Sequence, residues 1–435
     1  MTRPRTIKLG ASVKGLGYCP SSWRFPGLPT TADFAFYREM TEIAEKALFD
    51  LVFIPDRLTT LMSSTPHGAL GREVTDTDLE PLTILSALAA LTRRVGLAAT
   101  VSTTFTEPYN IARSFASLDH ISGGRAAWNV VTSTLDKEAR NFGLERMPSK
   151  AERYARANEA VDVVMRLWGS WEADAFIRDK DTGQYYDPGK VSRLDHQGPF
   201  FRVDGPLNVP RPPQGRPVIV QAGASALGLD LAARTAEVVY TVQNQLGEAV
   251  ASRTALRAGA ASHGRDPDGL LVMPGLLTVL GETEEAARIR YREMGESIDP
   301  AVGLAHLALM LGDLSAHDLD GPVPDLADHS LVPSRRKVWL ELARRENLSI
   351  RRLYQTAAIA NGHLTAIGTP EQVADKMEEW FSAGAADGFN IMSALAPVSL
   401  REFTEHVLPI LRRRGLVRTA YEGSTLREHL GLPFA

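Results

Sequence analysis

The sequence predicts an α/β protein, a (β/α)₈ TIM-like barrel with long insertions, and three observations predict it. Short apolar runs alternate with longer segments of helical period, a pattern typical of parallel α/β proteins. Eight of the apolar runs have the composition of strands, and eight strands close a barrel of this type. The chain has 435 residues, whereas a plain barrel needs about 250, so the remainder must lie in insertions.

The eight candidate strands are bounded by turn residues, and most are rich in Val, Ile or aromatic residues. All but the longest have the length expected of a strand. In chain order they cover residues 7–13, 51–56, 95–103, 126–133, 217–223, 238–243, 270–280 and 388–393.

Helices are expected between the strands, and two of them carry clear signals at their starts. Thr30 or Thr31 is the predicted N-cap of the first helix. The sequence Thr-Pro-Glu-Gln at 369–372 predicts a capping box with proline in the first helical turn. Apolar residues recur at helical spacing behind both starts, which indicates helix faces that pack on the core.

We expect one domain over residues 1–435, because no linker-like composition separates two independent halves. Two segments are predicted to be insertions in it. Residues 170–214 are rich in Gly, Pro, Asp and aromatic side chains, which indicates an irregular excursion with a hairpin. Residues 283–365 are far too many for one crossover helix, and a second long helical stretch is expected near 335–360.

Composition excludes several classes of protein. The 48 Lys and Arg residues against 52 Asp and Glu residues give a net charge of −4 without a basic stripe, so neither nucleic acid nor an anionic membrane is an expected partner. The single cysteine, Cys19, excludes a disulfide framework and a zinc site of paired thiolates. The histidines show no metal-ligand spacing, and no apolar run reaches the roughly 18 residues of a membrane span. We therefore expect a cytoplasmic protein without a metal site.

The segment 221–228 has the pattern of a phosphate-binding turn. An apolar strand ends in the small residues Gly223, Ala224 and Ser225, and an Ala- and Leu-rich helix follows. Free N–H groups and the dipole at a helix start attract a phosphate, and Ser225 can add its hydroxyl. The alternative is an ordinary N-cap serine. Leu227 stands where a nucleophile elbow needs glycine, which argues against a hydrolase.

Polar residues stand at the ends of two other candidate strands. Asp56 follows a buried strand directly, which places it at the end of the barrel where active sites of this fold lie. It either meets a cofactor or cation, or pairs with an arginine such as Arg57. Thr100, Ser102 and Thr104 share one face of the next strand, where their hydroxyls bond a polar heterocycle or one another.

Asn129 is an amide within an otherwise apolar strand. A buried amide must find hydrogen-bond partners, so Asn129 either braces the core or contacts a ligand, and the sequence favours neither. The Ser-Gly-Gly-Arg loop at 122–125 enters the same strand from the opposite end of the barrel, which indicates a role in stability.

Taken together, these segments resemble the bacterial luciferase-like flavin monooxygenases. More narrowly, they are similar to the group of nitrilotriacetate monooxygenase component A and dibenzothiophene-sulfone monooxygenase. The resemblance runs nearly the length of the chain, and its motifs are specific in this order rather than singly. They are FDLVFIPD at 49–56, TVSTTFTEPY at 100–109, DHISGGRAAWNVVTS at 119–133, NFG at 141–143, ERY at 152–154, VQAGAS at 220–225, AARTAE at 232–237, GTP at 368–370 and DGFN at 387–390.

The resemblance implies an enzyme that takes reduced FMN from a separate NAD(P)H-dependent flavin reductase. The enzyme then uses O₂ to oxidise a small organic substrate, with sulfur- and nitrogen-containing molecules as the candidates. It also implies a homodimer or homotetramer. The alternatives are a deazaflavin-dependent oxidoreductase of the same fold, a flavin-binding protein without catalysis, and a metal-dependent barrel hydrolase.

The resemblance also implies roles for individual residues. The residues expected to line the isoalloxazine are Asp56, Thr100, Ser102, Thr104 and Asn129. The residues expected to hold the FMN phosphate are Lys150, Tyr154, Gly223, Ala224 and Ser225. Asn129 is the leading catalytic candidate, with its amide donor steering O₂ beside the flavin. Lys150 stands where the family commonly has histidine; a lysine can still pair with phosphate as a point charge.

Loops expected to ring the open end of the barrel mix aromatic and cationic side chains, which suits an organic substrate with an apolar body and an anionic group. These residues are Trp23, Arg24, Phe25, Arg57, Met62, His67 and Arg72.

Overall fold

The computed structural model describes residues 5–60, 71–73, 77–223, 225–324 and 333–434, without the side chains of 333–335. Within these ranges, the strands are β1 (Lys8–Ser12), β2 (Leu51–Ile54), β3 (Gly96–Ser102), β4 (Ala126–Val131), β5 (His196–Gln197), β6 (Arg202–Val203), β7 (Val218–Gln221), β8 (Val238–Thr241), β9 (Leu271–Leu280), β10 (Leu364–Gly368) and β11 (Gly388–Ser393).

The helices are α1 (Phe34–Lys46), α2 (Pro81–Leu91), α3 (Pro108–Ser122), α4 (Asp136–Asn141), α5 (Lys150–Trp168), α6 (Ala226–Thr235), α7 (Leu246–Ser262), α8 (Glu284–Glu296), α9 (Pro300–Leu311), α10 (Pro333–Arg345), α11 (Ile350–Ala360), α12 (Pro370–Ser382), α13 (Val398–Glu402), α14 (Leu408–Arg413) and α15 (Leu426–Leu430). Short 3₁₀ turns occupy Ser22–Arg24, Pro188–Lys190 and Pro267–Gly269, and a π-helical turn occupies Phe403–Val407. In the described parts of the chain, no helix combines the length and apolarity needed to cross a lipid bilayer.

Eight parallel strands close the predicted barrel. In order around it they are β1, β2, β3, β4, β7, β8, β9 and β11, and β11 pairs again with β1. Each corresponds to one of the eight apolar runs predicted from the sequence, so the (β/α)₈ prediction is confirmed. Such runs are apolar because barrel strands are buried on both faces, inside the barrel and against the outer helices.

The interior of the barrel is filled at its lower end, where the strands begin. Leu51, Ala98, Ala127 and Val218 point inward and pack against apolar residues of the C-terminal segment that contains α15. Leu426 from α15 lies so close to Gly96 that a Cβ there would overlap it. Because the C-terminal segment closes this end, a ligand site must lie at the opposite end, where the strands finish.

Strand β10 was not predicted. It pairs in parallel with the second half of β9, from Leu276 to Leu280, beside the eight strands that close the barrel. The segment is only five residues long and includes Thr365 and Gly368, so it lacks the continuous apolar run by which the other strands were found.

The helix starts confirm one of the two predictions. Thr369 and Gln372 form the expected capping box, with N···O distances of 2.9 and 3.4 Å. The predicted N-cap of the first helix was wrong, because Asp33 caps α1 rather than Thr30 or Thr31. The carboxylate of Asp33 accepts the N–H of Phe36 at 3.0 Å, and a carboxylate also suits the positive end of the helix dipole.

The two segments predicted as insertions leave and rejoin the barrel. Residues 170–214 contain the antiparallel pair β5–β6, the expected hairpin. Residues 283–365 contain α8 to α11 and most residues of a second apolar core. Leu277 of β9 and Met392 of β11 belong to this second core, so the helices of the longer insertion pack against the barrel near the ends of those strands.

A buried histidine at the lower end of the barrel makes stability depend on pH. His429 is 2% exposed, and its ring packs against that of Tyr421. Burial, with repulsion from Arg418 as the next cause, lowers its pKa from 6.5 to about 4. An unfolded chain takes up a proton near pH 6.5, whereas the native chain resists it. The free energy of unfolding should therefore fall as the pH drops from 6.5 toward 4.

We expect His429→Phe to reduce this loss, because phenylalanine does not titrate and can keep the ring contact with Tyr421, whose centroid is 4.8 Å away. The measurement is the Tm of both proteins at pH 7.5 and pH 4.5. An equal fall in Tm for the two proteins would contradict the role given to His429.

Candidate active site

A cavity of about 280 Å³ lies where β2, β4 and β7 end. Asp56 and Arg57 line it from the segment after β2, and Ser133 lines it from the loop after β4. Tyr154 enters from α5, and Ala222 follows β7. This is the end of the barrel at which active sites of the fold are built, and it is opposite the end that α15 closes.

The turn between β7 and α6 brings two hydroxyl groups together. Ser225 is the N-cap of α6, and its Oγ accepts the N–H of Gly228 at 3.2 Å. The same hydroxyl donates to Oη of Tyr154 at 3.5 Å. Ser225 is therefore an N-cap residue, as one of the two interpretations predicted. This role is compatible with phosphate binding, because both use the exposed N–H groups of the helix start.

Two glycines allow close contacts where this turn meets α5. A Cβ added at Gly228 would lie 2.8 Å from Oη of Tyr154 and 3.3 Å from Oγ of Ser225. A Cβ at Gly223 would lie 3.1 Å from the backbone of Gly228. The absence of side chains at both positions leaves the two hydroxyls accessible above bare backbone. Ala224, the third small residue predicted here, lies outside the described residues.

Lys150 and Tyr154 lie one turn apart on α5. Ser149 caps this helix by accepting the N–H of Glu152 at 3.2 Å, so Lys150 is its first residue. The side chain of Lys150 is exposed and is not among those that line the cavity, whereas Tyr154 is half-buried and lines it. Of the two, Tyr154 is therefore the residue that the fold holds at the cavity.

Thr100 and Asn129 form a hydrogen-bonded pair inside the barrel. The hydroxyl of Thr100 donates to the carbonyl of Ile54 at 2.8 Å, so its oxygen can only accept from Asn129. Nδ2 of Asn129 accordingly donates to Oγ1 of Thr100 at 2.9 Å, which fixes the orientation of the amide. Oδ1 of Asn129 is left without a partner, although the residue is only 2% exposed.

The unpaired oxygen of Asn129 changes the expectation for this residue. A donor role was expected for it, but a donor of the amide is engaged by Thr100 and the unsatisfied atom is the acceptor. A buried acceptor without a partner costs about 1–3 kcal/mol. A ligand that brings an N–H or O–H group to this oxygen would recover that free energy.

The hydroxyls of Ser102 and Thr104 are engaged within the protein. Oγ of Ser102 accepts the N–H of Thr104 at 3.3 Å and the hydroxyl of Ser133 at 3.0 Å. Oγ1 of Thr104 donates to the carbonyl of Thr132 at 2.7 Å. These bonds hold the ends of β3 and β4 together, and they favour the alternative in which the hydroxyls satisfy neighbouring groups.

Asp56 titrates close to neutral pH. Burial raises the pKa of its carboxyl from 3.8 to about 6, the N–H of Arg57 opposes this, and the nearby carboxylates Glu80, Asp78 and Glu138 raise it further. Near pH 6 the side chain is therefore divided between a form that donates a hydrogen bond and a form that only accepts. Perturbed carboxyl groups of this kind in clefts are candidates for functional sites.

Glu138 shapes the cavity and was missed by the sequence analysis. Its Oε2 accepts the N–H groups of Thr134 and Leu135, each at 3.0 Å. Its Oε1 accepts the N–H of Leu58 at 3.3 Å. One carboxylate thus joins the loops that follow β2 and β4. The only signal in the sequence was a glutamate in the first turn of a short helix, a pattern common to many helices.

The inward side chains form levels across the barrel. The pairing register and the tilt of the strands place Phe53, Asn129, Tyr240 and Asn390, from alternate strands, at one level. The rings of Phe53 and Tyr240 meet in this level with centroids 5.5 Å apart. The next level toward the open end consists of Ser12, Thr100, Ala222 and Gly275.

These two levels differ in a way that favours ligand binding. The lower one is closed by two aromatic rings. The upper one carries only small side chains, where a packed barrel has bulky branched ones. The small side chains of the upper level leave room above Phe53 and Tyr240 that bulky side chains would fill.

The loop residues predicted to contact a substrate are partly engaged elsewhere. Arg72 forms an ion pair with Asp299, and Nη1 of Arg24 donates to the carbonyl of Ser297 at 2.9 Å. Arg57 lines the cavity. Met62 and His67 lie outside the described residues.

The fold and the site together define a class: a barrel enzyme with a polar turn at a helix start and a ligand-sized space at the ends of its strands. The family model of the luciferase-like monooxygenases matches residues 17–387. The chain belongs to this family and is a flavin-dependent monooxygenase, which confirms the resemblance seen in the sequence.

Two relatives and one solved structure illustrate the similarity. The chain is 47% identical to N-acetyl-S-(2-succino)cysteine monooxygenase of Bacillus subtilis (strain 168), over 99% of this chain and 98% of the relative. It is 45% identical to nitrilotriacetate monooxygenase component A of Aminobacter aminovorans, over 97% and 94%. A crystal structure of riboflavin lyase with modified FMN and riboflavin superposes with a TM-score of 0.87 at 33% identity, covering 99% of this chain and 97% of that one.

Proposed function

We propose that the protein is the oxygenase component of a two-component system. It takes reduced FMN from a separate NAD(P)H-dependent flavin reductase and uses O₂ to oxidise a small organic molecule. The observation that carries this proposal is the pair of hydroxyls, Tyr154 and Ser225, that meets over the bare backbone of Gly228 at the start of α6. The relative from Aminobacter aminovorans is itself named a component A. This name supports a system in which the oxygenase and the flavin reductase are separate proteins.

The described residues fit an FMN molecule at both of its ends. The N–H groups at the start of α6, with Tyr154 and Ser225, suit a phosphate, and Gly228 leaves room for the two hydroxyls. Inside the barrel, the unpaired Oδ1 of Asn129 suits an N–H group of the flavin ring. Asp56 at the cavity wall can accept or donate a hydrogen bond according to its protonation.

When bound, reduced flavin supplies the activation of O₂, which is the chemistry of the cofactor itself. The protein has to bind the cofactor, orient its ring and exclude water. Thr100 orients Asn129, and Asn129 in turn would orient the ring by accepting its N–H group. Glu138 keeps the two loops that flank the cavity together, so water is displaced from a preformed site.

We propose a substrate that is a small sulfur- or nitrogen-containing acid. The two relatives described above are named for substrates that carry several carboxylates, one linked through sulfur and one through nitrogen. Arg57 lines the cavity and provides a positive charge for such a molecule.

The proposed function is tested by titrating the protein anaerobically with reduced FMN and then adding air. We expect tight binding of reduced FMN, followed by O₂ consumption coupled to oxidation of nitrilotriacetate or N-acetyl-S-(2-succino)cysteine. The control is the same mixture with a reduced deazaflavin, which should support neither step. Binding of FMN without any substrate-dependent oxygenation would overturn the proposed function, and so would activity that a chelator abolishes.

The phosphate site leads to a separate prediction. Ser225→Ala and Tyr154→Phe should each weaken FMN binding by about 1 kcal/mol, roughly fivefold, because each removes one hydrogen bond to the phosphate. Thr254→Ala is the control, since its hydroxyl lies on the exposed surface of α7 and bonds only the carbonyl of Val250. Fluorescence titration of FMN measures all three. Wild-type affinity in both site variants would contradict this placement of the phosphate.

A further inference from the structure

A phenol and an imidazole lie together on the side of the barrel opposite Asn129 and Thr100. Tyr240 is on β8, and His363 immediately precedes β10. Their rings stack with centroids 5.2 Å apart and 25° between planes. Oη of Tyr240 is 3.4 Å from Nε2 of His363 and 3.5 Å from the sulfur of Met392. The function proposed above uses none of these three side chains.

Gly275 makes room for this arrangement. A Cβ at Gly275 would lie 2.6 Å from Oη of Tyr240 and 2.8 Å from the sulfur of Met392, and it would also overlap Nδ1 of His363. Three polar or polarisable groups therefore converge where β9 presents backbone alone. They converge at Gly275, in the level of small side chains described above.

Asn390 adds an unsatisfied polar atom beside the pair. It lies between Gly10 and Gly275 in the sheet register, it is 4% exposed, and its Oδ1 has no hydrogen-bond partner. A second hydroxyl pair stands on the adjacent strand, where Oγ of Ser12 and Oη of Tyr18 are 2.6 Å apart. This wall of the barrel is consequently polar although it is deeply buried.

The longer insertion covers the same wall. Tyr18, Leu277 and Met392 belong to the apolar core formed with residues of the insertion helices α9 and α11. His363 is 7% exposed beneath this cover. A hydrogen bond formed here is therefore shielded from water, which strengthens its contribution to binding and specificity.

We propose that Tyr240 is a specificity-determining residue that donates a hydrogen bond to a carboxylate of the substrate, and that His363 is the residue that positions it. This inference rests on the proposed function and deepens it. A phenol donates to a carboxylate at about 2.5–2.7 Å, a shorter and stronger bond than the contacts of 3.4 and 3.5 Å that its oxygen makes with His363 and Met392. The stacked imidazole holds the ring so that its hydroxyl stays at the ligand space.

The division of the barrel supports this assignment. The walls of β2, β3, β4 and β7 carry the residues proposed for FMN, namely Asp56, Thr100, Asn129 and the Gly223–Ser225 turn. The remaining walls are left for the substrate, and Tyr240 supplies the hydroxyl of the aromatic level on that side. A site built to hydrogen-bond one group rejects analogues that lack it, because its own buried polar atoms are then unpaired.

The test measures binding without turnover. Nitrilotriacetate and its trimethyl ester are titrated by calorimetry, without O₂, into the protein loaded with reduced FMN. The variants are Tyr240→Phe and His363→Gln, and Tyr421→Phe is the matched control. That control also loses a half-buried phenol, but one that donates to the carbonyl of Phe49 at the closed end of the barrel, at 2.7 Å. Aerobic assays then give KM and kcat separately.

We expect the wild type to bind the acid at least tenfold more tightly than the ester. Tyr240→Phe should weaken binding of the acid about tenfold, leave the ester unchanged and raise KM far more than it lowers kcat. His363→Gln should give the same pattern with a smaller effect, and Tyr421→Phe should change neither ligand. The affinity for FMN should stay the same in all of them.

Three results would overturn this inference. They are an unchanged preference for the acid in Tyr240→Phe, equal binding of acid and ester by the wild type, and no binding of the acid at all. Failure of the proposed function is distinguishable, because it shows as missing oxygenation in the wild type whatever the binding data are.

Discussion

Gly228→Ala should weaken FMN binding roughly 30-fold or more. The added Cβ would lie 2.8 Å from Oη of Tyr154 and 3.3 Å from Oγ of Ser225, so it would displace two hydroxyls that are proposed to bond the phosphate. Two such bonds contribute about 1–1.5 kcal/mol each, which accounts for the factor. Gly228 lies inside α6 without a positive φ, so alanine suits the backbone and adds helix propensity. The loss should therefore appear in binding rather than in folding.

Gly247→Ala is the matched control for this variant. Gly247 is also near the start of a helix, α7, but a Cβ there meets nothing within 4 Å. FMN titration and Tm are measured for both proteins. We expect wild-type affinity in Gly247→Ala. A folded Gly228→Ala protein that binds FMN as tightly as the wild type would show that the phosphate does not lie at this turn.

Asn129→Leu should have the largest effect on turnover, lowering substrate-coupled O₂ consumption about 100-fold. The change removes a buried acceptor on the proposed cofactor wall that no described protein group satisfies. Misplacing a reacting group by about 1 Å can cost a factor of this size. Folding should be little affected, because leucine branches at Cγ as asparagine does and the unpaired oxygen disappears with the amide.

Thr100→Val tests the orientation of the Asn129 amide without removing the amide. It leaves Oδ1 of Asn129 in place but removes the oxygen that accepts from Nδ2 at 2.9 Å. We expect an intermediate loss of about tenfold, with more reduced flavin oxidised without product in both variants. The measurements are O₂ uptake and product formed per flavin oxidised. Full coupling in a folded Asn129→Leu protein would exclude Asn129 from the orientation of the ring.

The barrel could be predicted from the sequence because its strands are short and apolar on both faces. The run 388–393 coincides with β11, and 126–133 contains all of β4. Predictions from local sequence, such as the position of a helix cap, were less reliable where several neighbouring residues could have the same role. Thr30, Thr31 and Asp33 are all suitable N-caps for α1, and only the structure identifies Asp33.

The candidate site could be predicted only in part. Asp56, Tyr154 and Ser225 could be proposed because a strand end, a motif and a helix start each mark a position in the chain. Atomic roles could not be found this way. Nothing in the sequence indicates that Thr100 gives its proton to Ile54, which is what leaves Oδ1 of Asn129 as the unsatisfied atom.

Residues that depend on distant pairing were missed altogether. Tyr240 and His363 are separated by 123 positions, and they meet because β8 and β10 both pair with β9. Asn390 was noticed only as part of a motif, and its position between two glycines follows from pairing with β1 and β9. Such neighbours are created by the closure of the barrel, which no local pattern encodes.

A crystal structure with bound FMN tests the central claim most directly. The account predicts the phosphate within hydrogen-bond distance of Oη of Tyr154 and Oγ of Ser225, at the start of α6. It also predicts a ring N–H group directed at Oδ1 of Asn129 inside the barrel. A phosphate bound away from this turn, or a ring outside the barrel with Oδ1 of Asn129 still unpaired, would contradict the account.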